Sequence, residues 1–362
     1  LKADIKTRRQ FLEWEEIYSN NDYYDILTVI EFTSRWFYRF VALRYMEVNG
    51  FLSSGIRVLS NAQGEFKPEI LTKLDELDLP GLDPEMVKAN RKNKKQLYRY
   101  LLLVQCRALH EIFPELFEEE NDISELLLPD DLLSGGIGAA LVKNIPDEEW
   151  KDPAILVQIS AIYGSLERHD PKIDPWLARR ISNPFICDMT QTPNWAVQYL
   201  AENAIGHKWL DTYPDDELQA KWRYYLEEAQ QDKQIRSTIT SASDKMDALT
   251  SMTVFDPCAG AGRMLIHAFD VLMDIYQSCG VTPRDAARSI LENNLFGLDT
   301  APGMVQMARF ALLMKARSYD VEILSTGIQP RIYEYTDANA KKLMDSMKIN
   351  AYHRYMIDQN SC

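Results

Sequence analysis

At 362 residues, with 46% hydrophobic and 26% charged side chains, the chain can bury two substantial cores and is not disordered by composition. Its formal net charge of -14 makes it a poor non-specific nucleic-acid binder through its average field, so any DNA contact needs a local basic patch or another domain. The five cysteines are scattered without C-x-x-C pairing, which points to reduced thiols in a cytoplasmic protein and away from a disulfide framework or zinc site. No apolar run approaches the roughly 20 residues that span a bilayer, and the first residues are charged rather than signal-like. Leu1 in place of Met reads as a processed, trimmed or partial chain.

Residues 1–175 carry helical periodicity and no strand alternation of any length. Ile26 to Met46 holds Ile30, Phe32, Trp36, Phe37, Phe40, Val41 and Leu43, interleaved with Arg35, Arg39 and Arg44. A nucleic-acid face is one reading of those types; the preferred one is a core helix with its arginines on the wet side. Arg91-Lys92-Asn93-Lys94-Lys95 is a basic cluster opening a helix over Gln96 to Phe113. It can touch phosphates, although a solvated face is the plainer account. Glu111 to Asp131 contains no Lys or Arg and includes Glu118-Glu119-Glu120. Without convergent His or Cys it reads as a solvated acidic surface. Pro129-Asp130-Asp131 resembles the start of a metal-dependent nuclease signature, but no Glu-x-Lys follows at a useful spacing, so no nuclease is assigned. Ser134 to Gly138 reads as a loop, and Pro146-Asp147-Glu148-Glu149 as a helix start by acid placement.

Thr192-Pro193 is a helix-start signal, with Thr as cap and Pro as first helical residue. Val197, Leu200, Ala201, Ala204 and Ile205 then form one face of a helix ending near Gly206. Leu218 to Arg236 is polar and helix-prone, and a Ser/Thr-rich link, Ser237 to Ser243, leads into the stretch that organises the chain.

That stretch runs from Met252 to Arg263: a short strand, then Asp256-Pro257-Cys258-Ala259-Gly260-Ala261-Gly262, then an amphipathic helix with Met264, Ala268, Val271, Leu272 and Ile275. Strand, loop and helix of this kind aim backbone N–H groups at a ligand beyond the strand's carboxyl end. Gly260 and Gly262 lack the Cβ atoms that would hold a ligand off. Asp256 disfavours a phosphate and favours a ligand with an amino group; S-adenosylmethionine fits, and a nicotinamide dinucleotide fits less well. A lone G-x-G is weak, and an ordinary tight turn is the alternative. A second strand, Leu295 to Leu298, also ends on an acid, Asp299, of the kind that accepts hydrogen bonds from ribose hydroxyls; a solvated N-cap acid is the alternative. The next helix, Met304 to Met314, is apolar enough to pack on a sheet.

Thr-Pro-x-Trp, Asp-Pro-x-x-Gly-x-Gly and Gly-x-Asp stand in one order that resembles the S-adenosylmethionine-binding half of the gamma-type N6-adenine DNA methyltransferases. The closer likeness is to the BREX phage-defence (PglX-like) group, through Trp36 to Glu47, Glu125 to Asp130 and Ala308 to Ala316, and it extends from about Phe32 to about Asn339. The resemblance implies an α/β protein: a helical domain over 1–175, then a Rossmann-like methyltransferase domain over 176–362 with an incomplete sheet. It puts Thr192, Pro193, Asp256, Pro257, Cys258, Ala259, Gly260, Ala261, Gly262, Asp299, Thr300 and Asp337 at the cofactor. Gln329-Pro330-Arg331-Ile332-Tyr333 corresponds to the third strand, with Asp337 near the adenine and Asp299 at the ribose. It implies double-stranded DNA as a partner, through regions largely outside this chain, and other phage-defence proteins.

The chain departs from the family pattern at Gln191, where Phe is usual, and in the loop, where Ala-Cys-Gly-Ser-Gly-His is usual. It also contains no Asn-Pro-Pro-Tyr motif, whose polar groups hold the target amino group and whose ring stacks on the flipped base; Asn183-Pro184-Phe185 lies on the wrong side of the glycine loop. The chain stops at Cys362, where the family would be about to reach that motif, and a basic target-recognition region is missing too. The leading expectation is therefore the cofactor-binding portion of an adenine-specific DNA methyltransferase, inactive as an isolated chain. A catalytically incomplete homologue acting as a regulatory or interaction module is the alternative, and small-molecule or RNA methylation by the same fold is weaker.

Overall fold

The structure, a computed structural model, describes residues 22–117, 125, 128, 131–168, 192–227 and 245–347, with side chains outside 22–33 and 164–168. The protein is mixed α/β, mostly helical, with one three-stranded parallel sheet. It divides into two compact units, Leu1–Asp188 and Met189–Cys362. The expected boundary near Pro175 lies outside the described residues.

In the first unit the described elements are helices: α1 (Asp22–Asn49), α2 (Pro84–Asn90), α3 (Lys94–His110), α4 (Gly136–Asn144) and α5 (Ala154–Arg168), with 3-10 turns at Glu69–Leu71, Leu74–Glu76 and Asp147–Lys151. The expectation that the arginines of α1 face water is wrong for two of them. Arg39 is 3% exposed and Arg44 fully buried. Arg39 Nε donates to the Leu116 carbonyl at 2.9 Å, and its guanidinium lies 4.8 Å from the Trp36 ring centroid.

Arg44 anchors a buried charge network. Its Nη1 donates to Glu47 Oε1 at 2.8 Å and to Ser60 Oγ at 2.9 Å, and its Nη2 pairs with Asp147. Glu47 Oε2 accepts the backbone N–H groups of Val58 and Leu59 at 2.8 and 2.7 Å. Arg57 Nη1 donates to Asp147 Oδ2 at 2.9 Å. One guanidinium thus ties α1 to the irregular chain after it and to the 3-10 turn at Asp147–Lys151. Inside a low-dielectric core such charges persist only because each has partners.

Other boundaries move. Asn93 caps α3, accepting the Gln96 N–H, so the basic cluster lies partly inside the helix. Helix α4 already begins at Gly136, inside the stretch expected as loop, because tertiary packing recruits it: a Cβ at Gly138 would lie 3.4 Å from the Phe40 ring. Of the acidic stretch, Glu118 to Glu120 and Asp130 lie outside the described residues, whereas Glu125 pairs with Arg107 at 3.2 Å and Asp131 with Lys95. These two acids are structural partners rather than merely solvated.

The second unit runs α6 (Asn194–Leu210), α7 (Asp216–Gln219), α8 (Lys245–Ser251), β1 (Val254–Asp256), α9 (Arg263–Ser278), α10 (Pro283–Ser289), β2 (Leu295–Asp299), α11 (Pro302–Arg317), β3 (Arg331–Glu334) and α12 (Asp337–Ser346). The strands are parallel in the order β1-β2-β3, with Asp256 beside Gly297 and Asp299 beside Glu334. Side chains alternate across a strand, so Phe255, Phe296, Leu298 and Tyr333 share one face, where Ala340, Leu343 and Met344 of α12 pack. Asp256, Gly297 and Asp299 point to the other face. Helix α9 packs against β1 and β2, and α11 against β2 and β3. The buried side of α9 keeps Ala268, Val271, Leu272 and Ile275 of the predicted face, leaves Met264 half-buried, and adds Leu265, Ile266, Phe269, Met273 and Tyr276.

A π-helical turn, Ile290–Asn294, feeds β2. Its fully buried Asn294 donates to the Leu249 and Met252 carbonyls at 2.8 and 2.7 Å and accepts from Tyr276 at 3.0 Å. One amide thereby joins α8, the lead-in to β1 and α9. Helix α6 passes Gly206 and ends at Leu210; Gly206 serves packing rather than termination, since a Cβ there would lie 2.8 Å from the Trp222 ring. Leu200 and Ala204 are exposed, and the buried side is Val197, Ala201, Ile205 and Trp209. The described part of Leu218 to Arg236 is helical only through Gln219.

Replacing Arg44 by Ala leaves Glu47 buried without its cation and is expected to cost about 3–5 kcal/mol in urea unfolding. Burial raises the Asp147 carboxyl, but hydrogen bonds and charge from Arg57 and Arg44 outweigh it and hold it below the usual range. A group depressed in the folded state stabilises fully above its unfolded value, about 3.9, and loses that contribution as pH falls through the folded value. Asp147→Asn should flatten that acid limb of the stability profile.

Candidate cofactor site

Beyond the carboxyl ends of β1 and β2 the chain makes one connected polar assembly. The Asp299 carboxylate bridges two loops: its Oδ2 accepts the Gly260 N–H at 2.8 Å, and its Oδ1 accepts the Ala301 N–H at 2.9 Å. The first bond draws the glycine loop over β2; the second shapes the turn into α11. The carbonyl of Asp299 accepts the Tyr335 N–H at 2.8 Å, and that of Leu298 accepts the Ala259 N–H at 2.8 Å. Each carboxylate oxygen can accept more than one hydrogen bond, so capacity toward a ligand hydroxyl remains. Asp299 thus also does the local turn work of a helix-start acid.

The two glycines of the loop do different jobs. Gly260 has φ +54° and a Cβ there would meet nothing within 4 Å, so its conformation requires glycine and its outer side is open. Gly262, at φ +90°, makes room for the protein instead of for a ligand: a Cβ would lie 3.2 Å from Ala308 Cβ on α11. It is also the N-cap of α9, whose first turn directs free N–H groups and a partial positive charge toward the loop.

Asp256 is half-buried and its Oδ1 accepts the Cys258 N–H at 3.1 Å. Burial pushes its carboxyl above the usual range; the Cys258 hydrogen bond opposes that, and the nearby Asp299 charge adds to it. A cation placed between these two acids would relieve both the desolvation and the repulsion.

The start of α6 is tied to the same place. Arg263, the first residue of α9, donates from Nη1 to the Thr192 carbonyl at 2.7 Å. Pro193 is the N-cap, with no side-chain cap, and its carbonyl accepts the Ala196 and Val197 N–H groups. The expected roles therefore shift by one residue, because Arg263 holds Thr192 outside the helix. Thr192, Pro193, Pro257, Cys258, Thr300 and Asp337 are exposed, whereas Ala259 and Ala261 are buried residues of the loop. Asp337 opens α12, two residues beyond the Tyr335 N–H that bonds Asp299. Gln191 and Asn183-Pro184-Phe185 lie outside the described residues.

Two positions that matter here were not singled out as site residues. Gly297 sits beneath the loop; a Cβ there would lie 3.0–3.1 Å from Ile332, Ala259 and Leu265. A glycine inside a strand is the usual sign of such close approach. Arg263 carried no such sign, since its partner is a backbone carbonyl 71 residues away. Among the described residues, no group of three His, Cys, Asp or Glu side chains is placed to hold a metal, and no helix is long and apolar enough to cross a membrane.

Gly297→Ala should cost about 1–3 kcal/mol by overpacking, and Gly260→Ala about 1–2 kcal/mol from its left-handed backbone alone, both read from urea midpoints. Arg263→Ala is expected to speed amide hydrogen exchange over the first turn of α6 while leaving the melting temperature nearly unchanged.

No family model matches the chain. The chain is 37% identical over 329 residues to the adenine-specific methyltransferase BrxX of Escherichia coli O9:H4 (strain HS), covering 89% of this chain and 27% of that protein. It is 33% identical over 356 residues to the adenine-specific methyltransferase PglX of Lacticaseibacillus casei (strain Zhang), covering 91% of this chain and 29% of that protein. Over some nine tenths of its length the chain is a relative of these two methyltransferases, and it spans between 27% and 29% of theirs.

Proposed function

We propose that this chain is the S-adenosylmethionine-binding portion of a site-specific DNA adenine-N6 methyltransferase of a bacterial phage-defence system, acting in the cytoplasm on double-stranded DNA. The observation that carries the reading is the Asp299 carboxylate joining the glycine loop to the turn after β2, beside a second strand-end acid. The parallel strand order β3-β2-β1 is the order found in one half of doubly wound sheets, whose ligands bind at the carboxyl ends of the strands. That supports a Rossmann-like methyltransferase domain over 176–362, preceded by a helical domain over 1–175. The likeness to BrxX and PglX supports the same activity.

The residues fit the cofactor. The open side of Gly260 leaves room at the loop, and Asp256 offers a carboxylate destabilised by burial to an ammonium group. Asp299 would take the ribose hydroxyls, with Thr192, Pro193, Pro257, Cys258, Thr300 and Asp337 exposed around the cofactor and Ala259, Ala261 and Gly262 supporting the loop from within. When bound, S-adenosylmethionine supplies an electrophilic methyl group on a sulfonium. The chain's part is to bind and orient, since positioning and electrostatics supply most of the catalysis in such a transfer. An Asn-Pro-Pro-Tyr sequence is absent from the 362 residues, which supports cofactor binding without methyl transfer by these residues alone. The same absence favours, as the second reading, an interaction module that binds the cofactor for another chain.

Calorimetric titration with S-adenosylmethionine tests the proposal: saturable binding is expected, lost at least tenfold in Asp299→Ala. A folded chain that binds neither S-adenosylmethionine nor its demethylated product would overturn it. Because the Asp256 carboxyl is raised and the ammonium prefers its ionised form, affinity should be full above that raised value and weaken as pH falls through it. Asp256→Asn should bind more weakly and lose that dependence. Methyl transfer to adenine-containing DNA restored by a second chain would favour the module reading.

A further inference from the structure

From Met86 to His110 the chain carries seven Lys and Arg and no Asp or Glu. In a protein of net charge -14 this is a sharp local reversal. Three of the seven are used internally. Arg99 donates to the Leu128 and Glu125 carbonyls, Arg107 pairs with Glu125, and Lys95 pairs with Asp131. The side chains of Lys88, Arg91, Lys92 and Lys94 are exposed and make no hydrogen bond or ion pair among the described residues.

The backbone that presents them is held by hydrogen bonds. Lys88 lies in the last turn of α2, Arg91 and Lys92 in the link, and Lys94 at the first position of α3. Asn93 closes the link, its N–H donating to the Asn90 carbonyl at 2.8 Å and its side chain capping α3. Cations at the start of α3 are electrostatically misplaced for folding. The first turn of a helix carries a partial positive charge and favours acids, yet α3 has no acid there. The helix potential and four unpaired cations therefore add to one field, a field suited to a polyanion.

We propose that the α2–α3 link, through Lys88, Arg91, Lys92 and Lys94, is a contact surface for the phosphate backbone of double-stranded DNA. The choice of DNA rests on the methyltransferase reading above. Such contacts position a duplex without reading its sequence. They would give the acidic chain the local basic patch that its average charge denies it.

The test is fluorescence anisotropy of the full chain with a short duplex DNA of random sequence across a salt series, comparing wild type with the triple variant Arg91→Ala, Lys92→Ala, Lys94→Ala. Each phosphate contact contributes about −0.9 to the slope of log affinity against log salt. The triple variant should therefore show a slope shallower by about 2.7, with weaker binding on every sequence. Lys92→Glu alone should weaken binding in the same direction, which covers a poorly folded triple variant. Unchanged slope and affinity, no duplex binding by wild type, or displacement of the duplex by poly-glutamate charge for charge would each overturn the proposal. A cofactor titration on the same samples tells its failure apart from failure of the methyltransferase reading.

Discussion

A single carboxylate, that of Asp299, sets the geometry on which the candidate site depends. Three parallel strands leave their last carbonyls and the loops beyond them without ladder partners, and those groups need hydrogen bonds wherever they are shielded from water. Asp299 meets that need from the central strand. Its side chain accepts N–H groups from the loop after β1 and from the turn before α11, and its carbonyl accepts one from the segment after β3. The ends of all three strands are thereby indexed to one residue. A ligand that engages the same carboxylate would stiffen loops already held together.

The loop can come that close only because side chains are missing beneath and beside it. Gly297 leaves space under Ala259, and Gly262 leaves space for Ala308 on α11. Three hydrogen bonds to Asn294 fix where β1 begins relative to β2 and α9. These close approaches trade side-chain volume for backbone proximity, and the adjacent strand-end acids store an electrostatic cost that a bound cation would release. The first unit solves a similar problem with opposite means, using Arg44 and Glu47 to hold irregular chain where regular hydrogen bonding is lacking.

Much of the site was legible in the sequence because its signals are local. A strand run, an acid and a glycine loop are consecutive residues, and so are Leu295 to Asp299; the 3.6-residue period beyond Arg263 marks a helix without any tertiary knowledge. The positive φ of Gly260 comes from the same local pattern. The extension of α6 past Gly206 and the burial of Arg39 and Arg44 were not legible. Gly206, Arg39 and Arg44 are each decided by a partner far along the chain: Trp222 for Gly206, Leu116 for Arg39, and Asp147 for Arg44.

By itself the sequence determined the order of elements, the acids at the strand ends and the likeness to adenine-specific methyltransferases, since these depend on residue type and spacing along the chain. Only the tertiary structure decided that Gly262 yields to Ala308, that Arg263 clasps Thr192, and that the cations of the α2–α3 link stand unpaired among the described residues while Lys95, Arg99 and Arg107 do not. The physical reason is that packing and charge pairing act between residues tens of positions apart, and the identity of a residue does not reveal which distant group will reach it.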